Sequence, residues 1–351
     1  VSGLAAAPLA SARRVVASSR SSARARTQRV GLLLAGAVFA AFAASVSVGD
    51  FPIALRDVVP AILGYGDTGE VFVARELRVP RALAAVLVGA AFGISGAIFQ
   101  AVARNPLASP DILGIMAGAS AATVFVITVA GPRFALMATA ALGGAFALGA
   151  AIYLLAYRQG VSSYRFVLVG IGLDAVAVAV TSYLLTEAEL FEAAAAMIWL
   201  TGSLNAAGWE SVAPLACVLA LLTPAALALA GRLRVIQLGD DAARGLGVGV
   251  ERSRLALLGV GVALAGVGTA VAGPVAFVAF LAAPIARRLT RAPMTLVPAG
   301  LAGALIVLVA DVAGRRLFAP TEIPVGIFTS LCGAPYFLYL LARANRSGAG
   351  G

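Results

Sequence analysis

Apolar and charged positions are segregated along this chain. Uncharged apolar stretches run over Gly31–Val48, Ala82–Ala103, Ile112–Pro132, Phe134–Tyr157, Ser211–Gly231, Leu255–Ala286, Ala292–Ala310 and Ile323–Ala342. A helix needs roughly 20 apolar residues to cross a bilayer core, and almost every stretch has that length. Leu255–Ala286 is too long for one crossing, since as a single helix it would reach about 48 Å. Gly273-Pro274 lies inside it. Proline lacks a backbone donor and clashes with the preceding turn, so the pattern predicts two segments, 253–272 and a short 275–289. A further span at 164–186 carries one acid, Asp174. The expected fold is all-α: a polytopic integral membrane protein with about ten transmembrane helices.

Composition sharpens this and removes several chemistries. Charged residues make up 12% of the chain, about half the share usual in soluble domains. Every basic side chain is arginine, and histidine is absent. A P-loop needs a lysine on the nucleotide phosphates, so ATP hydrolysis belongs to another polypeptide. Histidine-ligated zinc and Ser-His-Asp catalysis are excluded as well. Cys217 and Cys332 sit in separate apolar stretches and read as small hydrophobes in packed helices, with no redox motif.

The net charge of +10 follows the membrane and does not indicate nucleic acid. With ten spans and the N-terminus inside, nineteen arginines fall on the cytoplasmic side. Seven remain outside: Arg56, Arg75, Arg78, Arg81, Arg133, Arg315 and Arg316. This satisfies the positive-inside bias and puts both termini in the cytoplasm. Residues 1–29, rich in Ser, Ala and Arg, have the composition of a transit peptide. They read more plainly as a disordered basic cytoplasmic tail. Residues 30–345 form the membrane domain and 346–351 a C-terminal tail. Segment 232–254 mixes both charge signs in the most polar internal stretch, as a cytoplasmic docking surface would.

Three blocks carry a family likeness. The first is Arg78-Val-Pro-Arg81, then the glycine-rich run from Gly89 to Gly96, Gln100, and Arg104-Asn-Pro-Leu-Ala-Ser-Pro110-Asp-Ile-Leu-Gly114. The second is Leu238-Gly-Asp-Asp-Ala-Ala-Arg-Gly-Leu-Gly247. The third is Gly273-Pro-Val-Ala-Phe277, Pro284-Ile-Ala-Arg-Arg-Leu289, Ala310-Asp311, Glu322-Ile-Pro-Val-Gly326 and Gly333-Ala-Pro-Tyr-Phe337. In this order they resemble the FecCD-type permeases of binding-protein-dependent ABC importers, which carry ferric siderophores, haem and cobalamin. The run from Pro284 to Leu289 looks closest to the ferric-siderophore branch, with Ile285 where many members carry His or Gln.

The resemblance implies a type II ABC importer permease fold in the bacterial cytoplasmic (inner) membrane. Its implied partners are a second permease subunit, identical or related, two ATP-binding subunits, and an extracytoplasmic siderophore-binding protein. No cofactor or metal is implied on this chain, because ATP and magnesium serve the partner ATPase. Arg78, Arg81 and Arg315 match the family's outward arginines, which meet acidic residues of the binding protein. They also stand out on physical grounds, since Arg78 and Arg81 oppose both the macrodipole at a helix start and the positive-inside bias. The bland alternatives are snorkelling at the interface or local pairing, with Glu76, or for Arg315 with Asp311 four residues before it. Segment 232–251 matches the coupling segment that meets the ATPase. There Gly239, Ala243 and Gly247 would allow close approach, Leu238 and Leu246 would fill a groove, and Asp240 would join the contact.

Asn105, Pro106, Gly170, Gly172 and Asp174 are candidates for the translocation path or its gate. Asp174 is the one acid near the middle of a span, and an intramembrane carboxylate is a functional candidate by default. It also carries the rival function, an ion-coupled secondary transporter. A haem or cobalamin importer of the same family is the other alternative. A membrane enzyme such as a lipid transferase lacks the clustered carboxylates or metal site it would need. The Gly89–Gly96 run reads as helix packing.

Overall fold

The computed structural model describes residues 6–49, 51, 53–158, 163–293 and 295–348, and every regular element among them is helical. In chain order they are α1 (Ala6–Ser47), α2 (Leu55–Leu63), α3 (Thr68–Phe72), a π-helical stretch (Val73–Arg78), α4 (Val79–Val102), α5 (Ile115–Ala130), α6 (Phe134–Ala156) and α7 (Ser163–Glu187). Then follow α8 (Leu190–Leu200), α9 (Trp209–Ile236), α10 (Asp240–Gly245), α11 (Val250–Ala272), α12 (Val278–Thr290), α13 (Leu296–Arg316) and α14 (Val325–Gly348).

Seven stretches are long and apolar enough to cross a membrane: Ser21–Ser47, Thr68–Val102, Phe134–Ala156, Tyr164–Glu187, Trp209–Ile236, Val250–Ala272 and Leu296–Arg316. Shorter apolar helices lie at Ile115–Ala130, Leu190–Leu200 and Val325–Tyr339, and α12 adds a 13-residue segment after the Gly273-Pro274 break, roughly in keeping with the expected ten. The chain is thus an all-α polytopic membrane protein. The break at Gly273-Pro274 falls where the sequence puts it, with α11 ending at Ala272 and α12 starting at Val278. Three short helices, α2, α3 and α10, lie in the connections between the longer helices, as does the short apolar α8.

One boundary needs correcting. Residues 6–29, expected as a disordered tail, continue α1 as helix. Alanine and arginine are among the better helix formers, and the only proline of this stretch, Pro8, lies in the first turn, where it is tolerated. Arg26 also donates to the Leu289 carbonyl at 3.4 Å. At the other terminus α14 runs to Gly348, so the expected tail 346–351 begins as helix. Its residues 349–351 lie outside the described residues.

The core is built around α4, which packs against α13, α11, α12 and α9. Helix association in lipid gains little from hydrophobicity and depends on close backbone contact through small residues. The glycine-rich run supplies this. A methyl group at Gly89 would overlap the backbone of Gly303 and Ala304, one at Gly93 the backbone of Ala299, and one at Gly96 the carbonyl of Ala279. Two buried polar side chains add hydrogen bonds. Ser95 Oγ donates to the Gly261 carbonyl at 2.7 Å, and Gln100 Nε2 to the Phe280 carbonyl at 3.1 Å. Gln100 Oε1 in turn accepts from Arg287 at 2.7 Å.

Candidate functional site

The polar candidates gather at the two ends of the bundle and at one place within it. At the first end, the N-terminus of α4 meets the C-termini of α1 and α13. Arg78 is buried, and its guanidinium donates to the carbonyls of Val46 (2.9 Å), Ser47 (3.2 Å) and Phe51 (2.6 Å). The last carbonyls of a helix lack intrahelical donors, so a cation placed there satisfies them and complements the dipole of α1. The opposition to a helix start expected for Arg78 does not arise, because helix is continuous from Thr68 to Val102 and Arg78 lies inside it. Gly49 makes room, since any side chain there would meet the Arg78 guanidinium.

Arg81 and Arg315 converge on Asp311, which is 2% exposed. Arg81 Nε lies 3.0 Å from Asp311 Oδ1, and Arg315 Nη2 lies 3.0 Å from Asp311 Oδ2. Arg81 Nη1 also reaches Asn205 Oδ1 at 2.6 Å and Glu322 at 3.2 Å. Arg315 donates to Ser45 Oγ at 2.8 Å. The structure therefore brings Arg81 and Arg315 together and directs Arg78 elsewhere, onto α1. Asn205 and Glu322 complete the cluster. Asp311 was legible through its four-residue spacing from Arg315, whereas nothing local singles out Asn205.

At the opposite end α10 links α9 to α11. It is bracketed by Gly239 (φ 110°) and Gly247 (φ 79°), both in the left-handed region open to glycine. Leu238 and Leu246 are 67% and 64% exposed, as groove-filling side chains would be. Ala243, expected on the approach surface, is instead fully buried. Asp240 also turns inward, toward Arg254 (2.9 Å) and Arg104 (3.3 Å). Arg254 additionally pairs with Glu251 at 2.9 Å.

Within the bundle, the connection 103–114 between α4 and α5 folds back on itself. Asn105 Oδ1 accepts from Leu107 N at 2.9 Å, a local turn that frames Pro106. Further along, Asp111 Oδ2 accepts from Phe277 N at 3.0 Å. Phe277 has φ 65° and sits in the break between α11 and α12. Leu113 and Gly114 press on α7: a side chain at Gly170 would meet Leu113, and one at Gly114 would meet the Asp174 backbone. A side chain at Gly172 would enter open space. Among the described residues, Asp111 and Asp174 make no ion pair with an arginine. Sequence reasoning found Asp174 and the glycines; it missed Asp111, which stands in a motif without a spacing that marks it.

Residues 31–343 match the FecCD transport family. The chain is 43% identical over 310 residues to the achromobactin transport system permease protein CbrC of Dickeya dadantii, covering 87% of this chain and 89% of the relative. It is 39% identical over 316 residues to the ferric enterobactin transport system permease protein FepG of Escherichia coli, covering 90% and 96%. It is 40% identical over 314 residues to the Fe(3+)-citrate import system permease protein YfmE of Bacillus subtilis, covering 88% and 93%. A solved metal-chelate type ABC transporter in an inward-facing conformation superposes with a TM-score of 0.80. It shares 25% sequence identity and covers 90% of this chain and 99% of that one.

Proposed function

Because this chain belongs to the FecCD transport family, we propose that it is the permease subunit of a binding-protein-dependent importer for ferric siderophores. What carries the proposal is similarity over nearly the whole chain to permeases named for ferric enterobactin and Fe(3+)-citrate. The chain performs no covalent chemistry. It provides a path that opens alternately to the two sides of the cytoplasmic membrane, and the iron crosses inside its chelator as cargo.

In this reading α10 faces the cytoplasm, together with both termini, and the Arg81–Asp311–Arg315 cluster faces outward. The exposure of Leu238 and Leu246 on either side of α10 supports insertion into a groove on an ATP-binding subunit. ATP and magnesium are bound there, because a chain without lysine cannot supply the phosphate-binding lysine of a P-loop. A second permease, identical or related, completes the path with Gly172 and Asp174 of α7 on its wall, Gly170 packing α7 against Leu113 behind them, while Asn105 and Pro106 contribute to its gate. The loaded binding protein docks on the outward cluster through acidic residues. Arg81 is the candidate contact, with Arg315 holding Asp311 and Arg78 holding α1 beneath it.

The test is uptake of iron-labelled ferric enterobactin and ferric citrate by proteoliposomes containing the permease, its ATPase and its binding protein. Uptake should require all three proteins and ATP. Uptake driven by an ion gradient without the ATPase would instead support coupled transport through Asp174.

A further inference from the structure

The linker α10 is poorly anchored by its own chain. It has six residues, and both joints are glycines in the left-handed region, Gly239 and Gly247. A force applied at the exposed Leu238 and Leu246 would swivel such a segment about those joints and be lost. Ala243 is its one buried side chain, a methyl group too small to hold α10 against such a force, so a further tie to the spans is needed.

The tie is ionic and turned inward. One nitrogen of Arg254, Nη2, reaches both carboxylate oxygens of Asp240, at 3.0 and 2.9 Å. Its other terminal nitrogen, Nη1, donates to Glu251 at 2.9 Å. The second oxygen of Glu251 accepts from the Tyr153 hydroxyl at 3.1 Å, and Tyr153 belongs to α6. Arg104, just past the end of α4, reaches Asp240 Oδ1 at 3.3 Å. One carboxylate of α10 is thereby joined to α11 directly, to α6 through Arg254 and Glu251, and to α4 through Arg104. Two carboxylates face two guanidiniums, so the group is neutral. The Arg254 side chain is 2% exposed, where an ion pair is much less screened than on the surface.

We propose that Asp240 is the positioning residue that transmits motion of α10 to α4, α6 and α11, and that it does so without touching the ATPase. This deepens the transport function proposed above and rests on it. Leu238 and Leu246 make the contact; Asp240 makes the contact move the spans.

The experiment compares Asp240→Asn, Asp240→Glu, Arg104→Gln and the double variant Leu238→Ser/Leu246→Ser in the complete reconstituted transporter. Three quantities are read for each: the ATPase co-purifying with the permease, chelate uptake, and the stimulation of ATP hydrolysis by loaded binding protein. Asp240→Asn should retain the ATPase while losing stimulation and about tenfold or more of uptake, within the usual range of coupling between sites. Asp240→Glu should recover a substantial part of both. Arg104→Gln removes only the exposed tie to α4 and does not endanger folding; it should lower uptake about fivefold, the low end of coupling between sites, with the ATPase retained. The leucine variant should shed the ATPase. Wild-type uptake in Asp240→Asn or in Arg104→Gln overturns the proposal, as does loss of the ATPase from Asp240→Asn alongside the leucine variant. Absence of ATP-dependent uptake in the wild-type complex would overturn the transport function itself, and the linkage with it.

Discussion

Two spans of this protein are nearly equal in hydropathy and opposite in environment. The most apolar windows of Thr68–Val102 and Tyr164–Glu187 have mean hydropathies of 2.2 and 2.0, yet 78% of the first is buried and only 17% of the second. Hydropathy reports that a segment leaves water; it does not report what replaces the water. For α4 the replacement is protein backbone, admitted by Gly89, Gly93 and Gly96. For α7 it is lipid or another subunit, met by Leu168, Ile171, Val176, Val178, Val180 and Tyr183. Small residues at close spacing separate the two cases, because in lipid it is contact distance that drives association.

The most direct way to break this comparison is to place the same side chain in both helices. In Gly96→Leu the added atoms have no space against Ala279. Overpacking typically costs about 1–3 kcal/mol, and more where backbone must separate from backbone. The expected outcome is loss of monodisperse protein in size-exclusion chromatography after detergent extraction. In Gly172→Leu the side chain enters open space, so the protein should be recovered at wild-type yield. If α7 lines the path, uptake should nevertheless fall. Equal yields for the two variants would remove the distinction between a packed and an unpartnered span.

A second, smaller effect concerns how α4 is pinned at its polar end. Asp311 lies between Arg81 of α4 and Arg315 of its own helix α13. In Asp311→Asn both guanidiniums lose their shared counter-ion. Breaking a buried pair from one side costs about 3–5 kcal/mol because the remaining charge is left uncompensated. Arg81 retains Glu322 and Asn205, which places the expected loss toward the lower end. A fall in the thermal unfolding midpoint of the purified permease measures it. An unchanged midpoint would mean that α13 is held on α4 by the glycine contacts alone.

The sequence disclosed features of α4 and α7 that depend on local spacing and concealed those that depend on distant partners. The break between α11 and α12 was legible because Gly273-Pro274 interrupts a run too long for one crossing. The Asp311–Arg315 pair was legible from its four-residue interval. The work of Arg78 was not, because the carbonyls it caps lie 32, 31 and 27 residues away. The start of the second span was hidden for a related reason. Helix continues without interruption from Thr68 to Val102, but Arg75, Glu76, Arg78 and Arg81 give its first part the composition of a loop. The inward turn of Ala243 was illegible because a helix of six residues is too short to display a periodic buried face. At the N-terminus, composition suggested disorder where a stretch rich in alanine and arginine extended α1.

The smallest expected effect tests what covers α7. Ile171 and Val178 are 48% and 51% exposed, so truncating both to alanine removes little packing within one chain. Surface substitutions away from special features usually change stability by less than about 0.5 kcal/mol. The single permease should therefore keep its unfolding midpoint. If α7 faces only lipid, the assembled transporter should behave in the same way. If α7 faces a second permease, the same truncations remove contacts between subunits, and the assembled form should dissociate at lower detergent concentration or at greater dilution. Mass photometry of wild type and the double-alanine variant over a dilution series separates these outcomes. A shift confined to the assembled form identifies the exposed face of α7 as buried in the working transporter, the environment that α4 finds within a single chain.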